Sequence, residues 1–168
     1  FILDDNDATI PDLNGKWMGS NMKLNGNVEN LMPFILLEDQ KLIIRAKGHF
    51  DHIDLERLLT TKGQGNQSES FEIPRYLSMD IEAKIDEISY KKFISSEVFG
   101  HFLIQNGRLR SDDFGFNTAG GNVRGYLSLF SSKDADLELE VQGKLKNMDI
   151  SRLFYEFDNM GQKIITDK

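Results

Sequence analysis

The chain has 168 residues, a net charge of −7 and no cysteine, so disulfide bonds and thiolate chemistry are excluded. A charged fraction of 28% with a hydrophobic fraction of 39% is typical of a globular protein and argues against a disordered chain. Lys and Arg are scattered along the chain rather than gathered in a basic stripe, so nucleic acid is not an expected partner.

The beginning of the chain carries no recognisable targeting signal. It opens on "FILDDND", without a basic segment or a cleavage site, so we expect a fragment of a longer protein. The longest apolar runs, such as "LMPFILL" at 31–37, are far shorter than the roughly 20 residues that cross a bilayer. Any membrane anchor is therefore expected outside this sequence.

Alternation with a period of two dominates the chain. In "WMGSNMKLNGNV" (17–28) it places Met18, Met22, Leu24 and Val28 on one side. "KLIIRAKGHF" (41–50), "SMDIEAKID" (78–86) and "DLELEVQGKL" (136–145) alternate apolar with polar residues, with Ile43 as an exception. Such segments are typical of antiparallel strands with one apolar and one wetted face.

Further strands are predicted between residues 97 and 130, in "EVFGHFLIQ", "RLR", "DFGFNT" and "NVRGYLSLF". Turn signals separate the segments: Asn106-Gly107, Asp112-Asp113, Gly120-Gly121 and 131–134. The predicted fold is mainly β (α+β), a long, curved antiparallel sheet of hairpins with an apolar concave face.

Seventeen side chains are predicted to form that apolar face. They are Leu42, Ile44, Ala46, Phe50, Met79, Ile81, Ala83, Ile85, Phe102, Ile104, Val123, Leu127, Leu129, Leu137, Leu139, Val141 and Leu145. Any half-buried sheet has an apolar face, which its own helices usually cover. The pattern alone therefore leaves open whether this face is a core or a binding groove.

Two short helices are predicted, near 54–62 and near 149–158. Each begins with an aspartate suited to N-capping, Asp54 or Asp149, and carries apolar residues at helical spacing. A third candidate, "VENLMPFILL" at 28–37, is interrupted by Pro33.

The sequence also contains an internal repeat. Residues 41–59 align with 136–154 without a gap at an offset of 95, and the identical pairs include Gly48/Gly143, Asp54/Asp149 and Arg57/Arg152. Each unit is a strand followed by a capped helix. We therefore expect the end of a first β-repeat at 1–60, a flexible loop at 61–73 and a second β-repeat at 74–168. The two repeated arginines are expected to form salt bridges to the polar sheet edge.

The order of motifs in the second unit resembles one family. "ISY" (88–90), G-x-F-x-I-x-N-G-x-L (100–109), A-G-G-x-V-x-G (119–125) and G-x-L-x-x-M-D-I-x-x-L (143–153) resemble the C-terminal repeats of AsmA-like proteins of Gram-negative bacteria. The resemblance implies a non-enzymatic periplasmic protein, anchored in the inner membrane by a helix outside this sequence. It also implies that phospholipid is bound or conducted along an apolar β-groove toward the outer membrane, with envelope proteins as possible further partners.

No catalytic, metal or cofactor site is predicted. "HFDHID" (49–54) contains two histidines and two aspartates, but His49 falls on the polar strand face and Asp54 is better explained as a helix cap. Nucleophile-elbow, phosphate-loop and metalloprotease motifs are absent from the sequence.

Three hypotheses remain open. The chain is either a lipid-binding groove or a structural and interaction module whose apolar face is fully covered. A carbohydrate-binding module, with Phe99, Tyr126 and Phe130 exposed on the polar face, is a third alternative.

Overall fold

The computed structural model describes residues 2–60, 73–131 and 137–157. These residues form a nine-stranded sheet in which the strands follow one another in chain order. The strands are β1 (Ile2–Asp4), β2 (Asp7–Trp17), β3 (Ser20–Glu29), β4 (Leu42–Asp54), β5 (Leu77–Tyr90), β6 (Phe93–Gln105), β7 (Arg108–Thr118), β8 (Gly121–Ser131) and β9 (Leu137–Lys146). The predicted mainly β fold is confirmed, and the sheet is not closed into a barrel.

One pair of strands departs from the prediction of an antiparallel sheet. β4 and β5 pair in parallel, with Ile44 opposite Met79 and Phe50 opposite Ile85, whereas every other neighbouring pair is antiparallel. The chain returns from the end of β4 to the start of β5 through residues 55–76, and parallel neighbours require a crossover connection of this kind. Alternation alone could not reveal this, because it is the same in both strand directions.

Three short helices are described: α1 (Leu31–Leu36), α2 (Leu55–Thr60) and α3 (Ile150–Glu156). Asp54 and Asp149 are the predicted N-caps, since a carboxylate oxygen of each accepts a hydrogen bond at 3.0 Å from the backbone N–H three residues later. Pro33 is the third residue of α1, where an N–H has no partner within the helix, so it does not prevent the helix. None of the described helices is both long and apolar enough to span a bilayer.

The predicted turn at Asp112-Asp113 is wrong. Both residues lie within β7, which joins the segments "RLR" and "DFGFNT" into one strand. The register of β7 shifts against both neighbours between Ser111 and Phe114, so the two aspartates form a β-bulge. The bulge keeps Ser111 and Phe114 on the same face even though they are three residues apart.

The first hairpin, β1–β2, is not predicted by the sequence pattern. β1 and β2 alternate poorly, and β2 contains a register shift between Ile10 and Leu13, where Pro11 occupies a position compatible with a bulge. Met18, predicted as a face residue, instead lies in the turn after β2 with a φ of 51°. The predicted loop at 61–73 lies outside the described residues except for Ile73, which is buried.

Most of the buried apolar side chains lie on the central strands of the sheet. Ala83, Ile85, Val98, Phe114 and Val123 are each no more than 6% exposed. Their strand pairings place them on one face, where large neighbours on adjacent strands surround them. The centre of the sheet is therefore where this face is least exposed to solvent.

Ser111 is the exception within this apolar region. It is 0% exposed, and its hydroxyl has no hydrogen-bond partner among the described residues. Ser128 is nearly as buried, at 2% exposure, but its hydroxyl accepts a hydrogen bond from Arg108 at 3.2 Å. The two serines therefore differ in hydrogen bonding rather than in burial.

We expect Ser111→Ala to raise the free energy of unfolding by about 1 kcal/mol, because a buried hydroxyl without a partner costs desolvation energy. Ser128→Ala is the matched control and should lower it by about 1 kcal/mol, since it removes a hydrogen bond and leaves Arg108 without that acceptor. Urea denaturation of both variants measures the difference. A Ser111→Ala variant as destabilised as Ser128→Ala would contradict the assignment.

Candidate functional site

The strand register brings the predicted apolar residues together on one face of the sheet. Residues directly opposite each other on neighbouring strands point to the same side. One row across the sheet contains Val28, Ile44, Met79, Ile104, Leu109, Leu129 and Leu139. Parallel rows contain the pairs Ala46–Ile81, Leu127–Val141, Phe50–Ile85 and Val123–Leu145. We call this surface the apolar face.

The outer part of this face is open on β9. Leu139, Val141 and Leu145 are 62%, 49% and 52% exposed, although all three alternate with polar neighbours. The side chain of Leu137 lies outside the described part, and its backbone pairs with Ser131. The solvent exposure of the apolar face therefore falls from the edge strand β9 toward the centre of the sheet.

No helix within residues 2–60, 73–131 and 137–157 packs across the apolar face. α1 contacts β2 and β4, and α2 contacts β4 and β5, near the ends of those strands. α3 begins at the end of the β7–β8 hairpin, where the Asp149 N–H donates to the Ala119 carbonyl at 2.9 Å. The cover by the sheet's own helices that the structural-module alternative expects is therefore missing from the described residues.

Small residues form the middle row of the apolar face. Gly48 lies opposite Ala83, which lies opposite Gly100, and on the other side of Phe114 the row continues with Gly125 and Gly143. A Cβ atom placed on Gly48 or Gly100 would lie 2.8 Å or 2.9 Å from the ring of the aromatic residue two positions later. The Phe50 and Phe102 rings therefore occupy the space that a side chain at Gly48 or Gly100 would need.

Aromatic side chains also gather where α3 meets the sheet. The Phe93 ring centroid lies 4.9 Å from that of Phe157 and 6.0 Å from that of Phe116, which stacks with Phe114 at 5.7 Å. Near α2, the Trp17 ring meets Phe50 edge-on at 6.2 Å. Aromatic contacts of this kind stabilise the sheet and enlarge the apolar surface beside α2 and α3.

Arg57 and Arg152 make different contacts beside their helices, and the ion pair of Arg152 lies within α3 rather than at the predicted sheet edge. Arg57 Nη1 donates to the carbonyl of Met18 in the β2–β3 turn at 2.7 Å. Arg152 Nε donates to Glu156, one helical turn later, at 2.9 Å. Glu156 is buried and also accepts from the hydroxyl of Thr118 at 3.2 Å, so α3 is tied to the β7–β8 hairpin.

The opposite face of the sheet carries charged pairs. Lys47 and Glu82 lie 2.5 Å apart across the parallel pair β4–β5, and Arg45 pairs with Glu29 across β3–β4. Hydrogen bonding to Lys47 lowers the pKa of Glu82, and hydrogen bonding to Glu82 raises the pKa of Lys47. These groups are exposed, so their contribution to stability is small. We call this surface the polar face.

The two histidines of the "HFDHID" segment contact different residues in the structure. His49 Nε2 lies 2.7 Å from Asp86 of β5, whereas His52 Nε2 lies 2.8 Å from the Ser89 hydroxyl. Asp54 caps α2, as its sequence position predicted. The four residues therefore do not form one common site.

Several apolar-face residues were missed from the sequence. Leu109 and Phe114 belong to β7, which was divided into two short segments, and Leu77 begins β5 opposite Leu42. The sequence does contain a signal for β7. The apolar residues of "RLRS" and "FGF" fall on the same face if Asp112 and Asp113 form a β-bulge. Of the aromatic residues named for the carbohydrate alternative, Phe99 lies beneath Arg124 and Phe130 beneath Arg108, each arginine at 5.0 Å from the ring centroid.

Comparison with known proteins does not assign the chain to a family. No family model, no curated protein and no solved structure matches it.

The contact between β8 and β9 yields a test of the middle row. A Cβ on Gly125 would lie 2.6 Å from the Gly143 Cα and still closer to the Gln142 carbonyl, and both are backbone atoms that cannot turn away. We expect Gly125→Ala to destabilise the protein by about 1–3 kcal/mol and to loosen β9. Denaturation and hydrogen exchange of the β9 amides measure both effects.

Gly143→Ala is the matched control, because Gly143 is the direct partner of Gly125. Its Cβ would meet its nearest neighbour at 3.1 Å, which small shifts relieve. Equal destabilisation by the two substitutions would contradict a backbone contact specific to Gly125.

Proposed function

We propose that this chain binds the acyl chains of phospholipid on the apolar face of its sheet. The observation that carries the proposal is an apolar face continuous from β3 to β9 with no described helix packed across it. A soluble protein rarely leaves such a surface without a function, and contiguous exposed apolar patches mark sites of interaction.

The energetics favour an elongated apolar ligand. Removing a 16-carbon acyl chain from water gains about 12 kcal/mol, at ~0.8 kcal/mol for each methylene group. A surface that binds an acyl chain in this way needs a wide apolar area rather than a few precisely positioned polar groups. The rows from Ile44 to Leu139 and from Phe50 to Ile85 supply aliphatic and aromatic side chains of this kind.

The two faces divide the roles of the sheet. Ion pairs such as Lys47–Glu82 keep the polar face hydrated, so a bound lipid would occupy the apolar face alone. On the apolar face Ala83 and Val98 are buried at the centre, while Leu139 and Val141 on β9 are accessible to an acyl chain.

The resemblance to AsmA-like proteins supports a biological setting for this binding. We propose a periplasmic location, tethering to the inner membrane through a segment outside this chain, and a role in outer-membrane assembly or homeostasis. No catalytic role forms part of this proposal.

The alternative is a structural or interaction module whose apolar face is covered by protein. The tie between α3 and the β7–β8 hairpin favours this reading at one end, because the aromatic group around Phe93 is packed there. The two functions differ in whether lipid reaches the centre of the face.

The test introduces two charges on either face of the same strands. Ile104→Glu combined with Val141→Glu places carboxylates on the apolar face, where acyl chains would have to desolvate them. We expect the amount of bound fluorescent phospholipid to fall about tenfold or more. Lipid extracted after expression in the periplasm of a Gram-negative bacterium should fall in parallel.

Gln105→Glu combined with Gln142→Glu is the control. It makes the same charge change one residue further along the same two strands, on the polar face, and should leave lipid binding unchanged. Circular dichroism and thermal unfolding verify that both variants fold. A native chain that neither carries nor binds phospholipid would reject the lipid proposal in favour of the covered module.

A further inference from the structure

On the polar face a third ligand from β5 joins two ligands that are neighbours in the sequence, which gives a mixed nitrogen and oxygen set. It consists of the His49 imidazole and the Asp51 carboxylate on β4 and the Asp86 carboxylate on β5. One donor atom of each lies within 4.8 Å of the other two, and His49 Nε2 is 2.7 Å from Asp86 Oδ1. We propose that these three residues bind a first-row transition metal ion, for which zinc is the probe.

The donor types select this class of ion. One imidazole with two carboxylates suits zinc and its neighbours, whereas magnesium and calcium prefer oxygen ligands throughout. Zinc binds histidine nitrogen and carboxylate oxygen at about 2.0–2.2 Å. Asp51 and Asp86 are exposed, so side-chain rotation can bring their oxygens to that distance, and solvent can fill the remaining position.

The backbone of the parallel pair fixes the arrangement. His49 and Asp51 are two positions apart on one strand and therefore share a face. The pairs Phe50–Ile85 and His52–Glu87 bracket Asp51 and Asp86, so the two carboxylates lie side by side on neighbouring strands. Like charges in this position repel each other, and a divalent cation between them removes the repulsion.

Asn21 and two lysines affect the expected metal affinity of the site in opposite directions. Asn21 on β3 donates to Asp51 Oδ2 at 2.6 Å, which orients this carboxylate as outer-shell donors orient metal ligands. Lys23 and Lys84 lie opposite His49 on the two adjacent strands, so an ion competes with two ammonium groups. We therefore expect moderate affinity.

The structure contains its own reference pair. His101 Nε2 lies 2.6 Å from Asp80 Oδ1 across β5–β6, on the same face and at similar exposure. Within the described residues, no third ligand joins that pair to make a metal-binding group. A comparison of the two histidines therefore separates metal binding from ordinary hydrogen bonding between histidine and aspartate.

The experiment titrates zinc alone into the untagged protein by calorimetry. Because the sequence has three histidines and no cysteine, few strong ligands compete. We expect one zinc ion per chain, with binding weakened more than about tenfold by His49→Ala or Asp86→Asn and about tenfold by Asn21→Ala. His101→Ala should bind zinc like the unsubstituted chain.

Nuclear magnetic resonance of the histidine rings locates the ion in the unsubstituted protein, independently of how any variant folds. Zinc should shift the His49 signals and leave those of His101 in place. The proposal is overturned if zinc does not bind, if His101→Ala and His49→Ala weaken it equally, or if the shift appears at His101. Phospholipid binding on the opposite face does not enter this result.

Discussion

The strand register is the constraint on which the rest of this structure depends. A strand presents alternate residues to opposite faces, so a shift of one residue would exchange the apolar and polar faces of that strand. Nine strands remain in phase here, including across the parallel pair where Ile44 meets Met79. The continuous apolar face and the opposing ion pairs both follow from that single alignment.

The bulges preserve this alignment where the sequence interrupts it. β7 contains one more residue than its neighbours between Leu109 and Phe114, and the extra residue is absorbed at Asp112-Asp113. Without the bulge, Phe114 and Phe116 would point to the polar face. β2 does the same near Pro11, a residue that cannot donate a ladder hydrogen bond.

The repeated strand and helix perform the same local task twice with different contacts. Asp54 and Asp149 cap their helices with the same geometry, which explains why this residue recurs. Arg57 reaches a turn carbonyl, while Arg152 turns back to the buried Glu156 within its own helix. Arg152 therefore binds a buried carboxylate, whereas Arg57 binds the β2–β3 turn. The two helices are held by different contacts despite their shared sequence pattern.

The sequence by itself determined the local features of this protein. Alternation identified most strands from β3 to β9 and their apolar sides, and the aspartates identified the helix starts, because both depend on neighbouring residues alone. Only the tertiary structure decided that β4 and β5 run in parallel, that no described helix covers the apolar face, and that Asp86 joins His49 and Asp51. The physical reason is that strand direction, cover and proximity depend on the path of the chain between elements, and hydrophobic periodicity carries no information about that path.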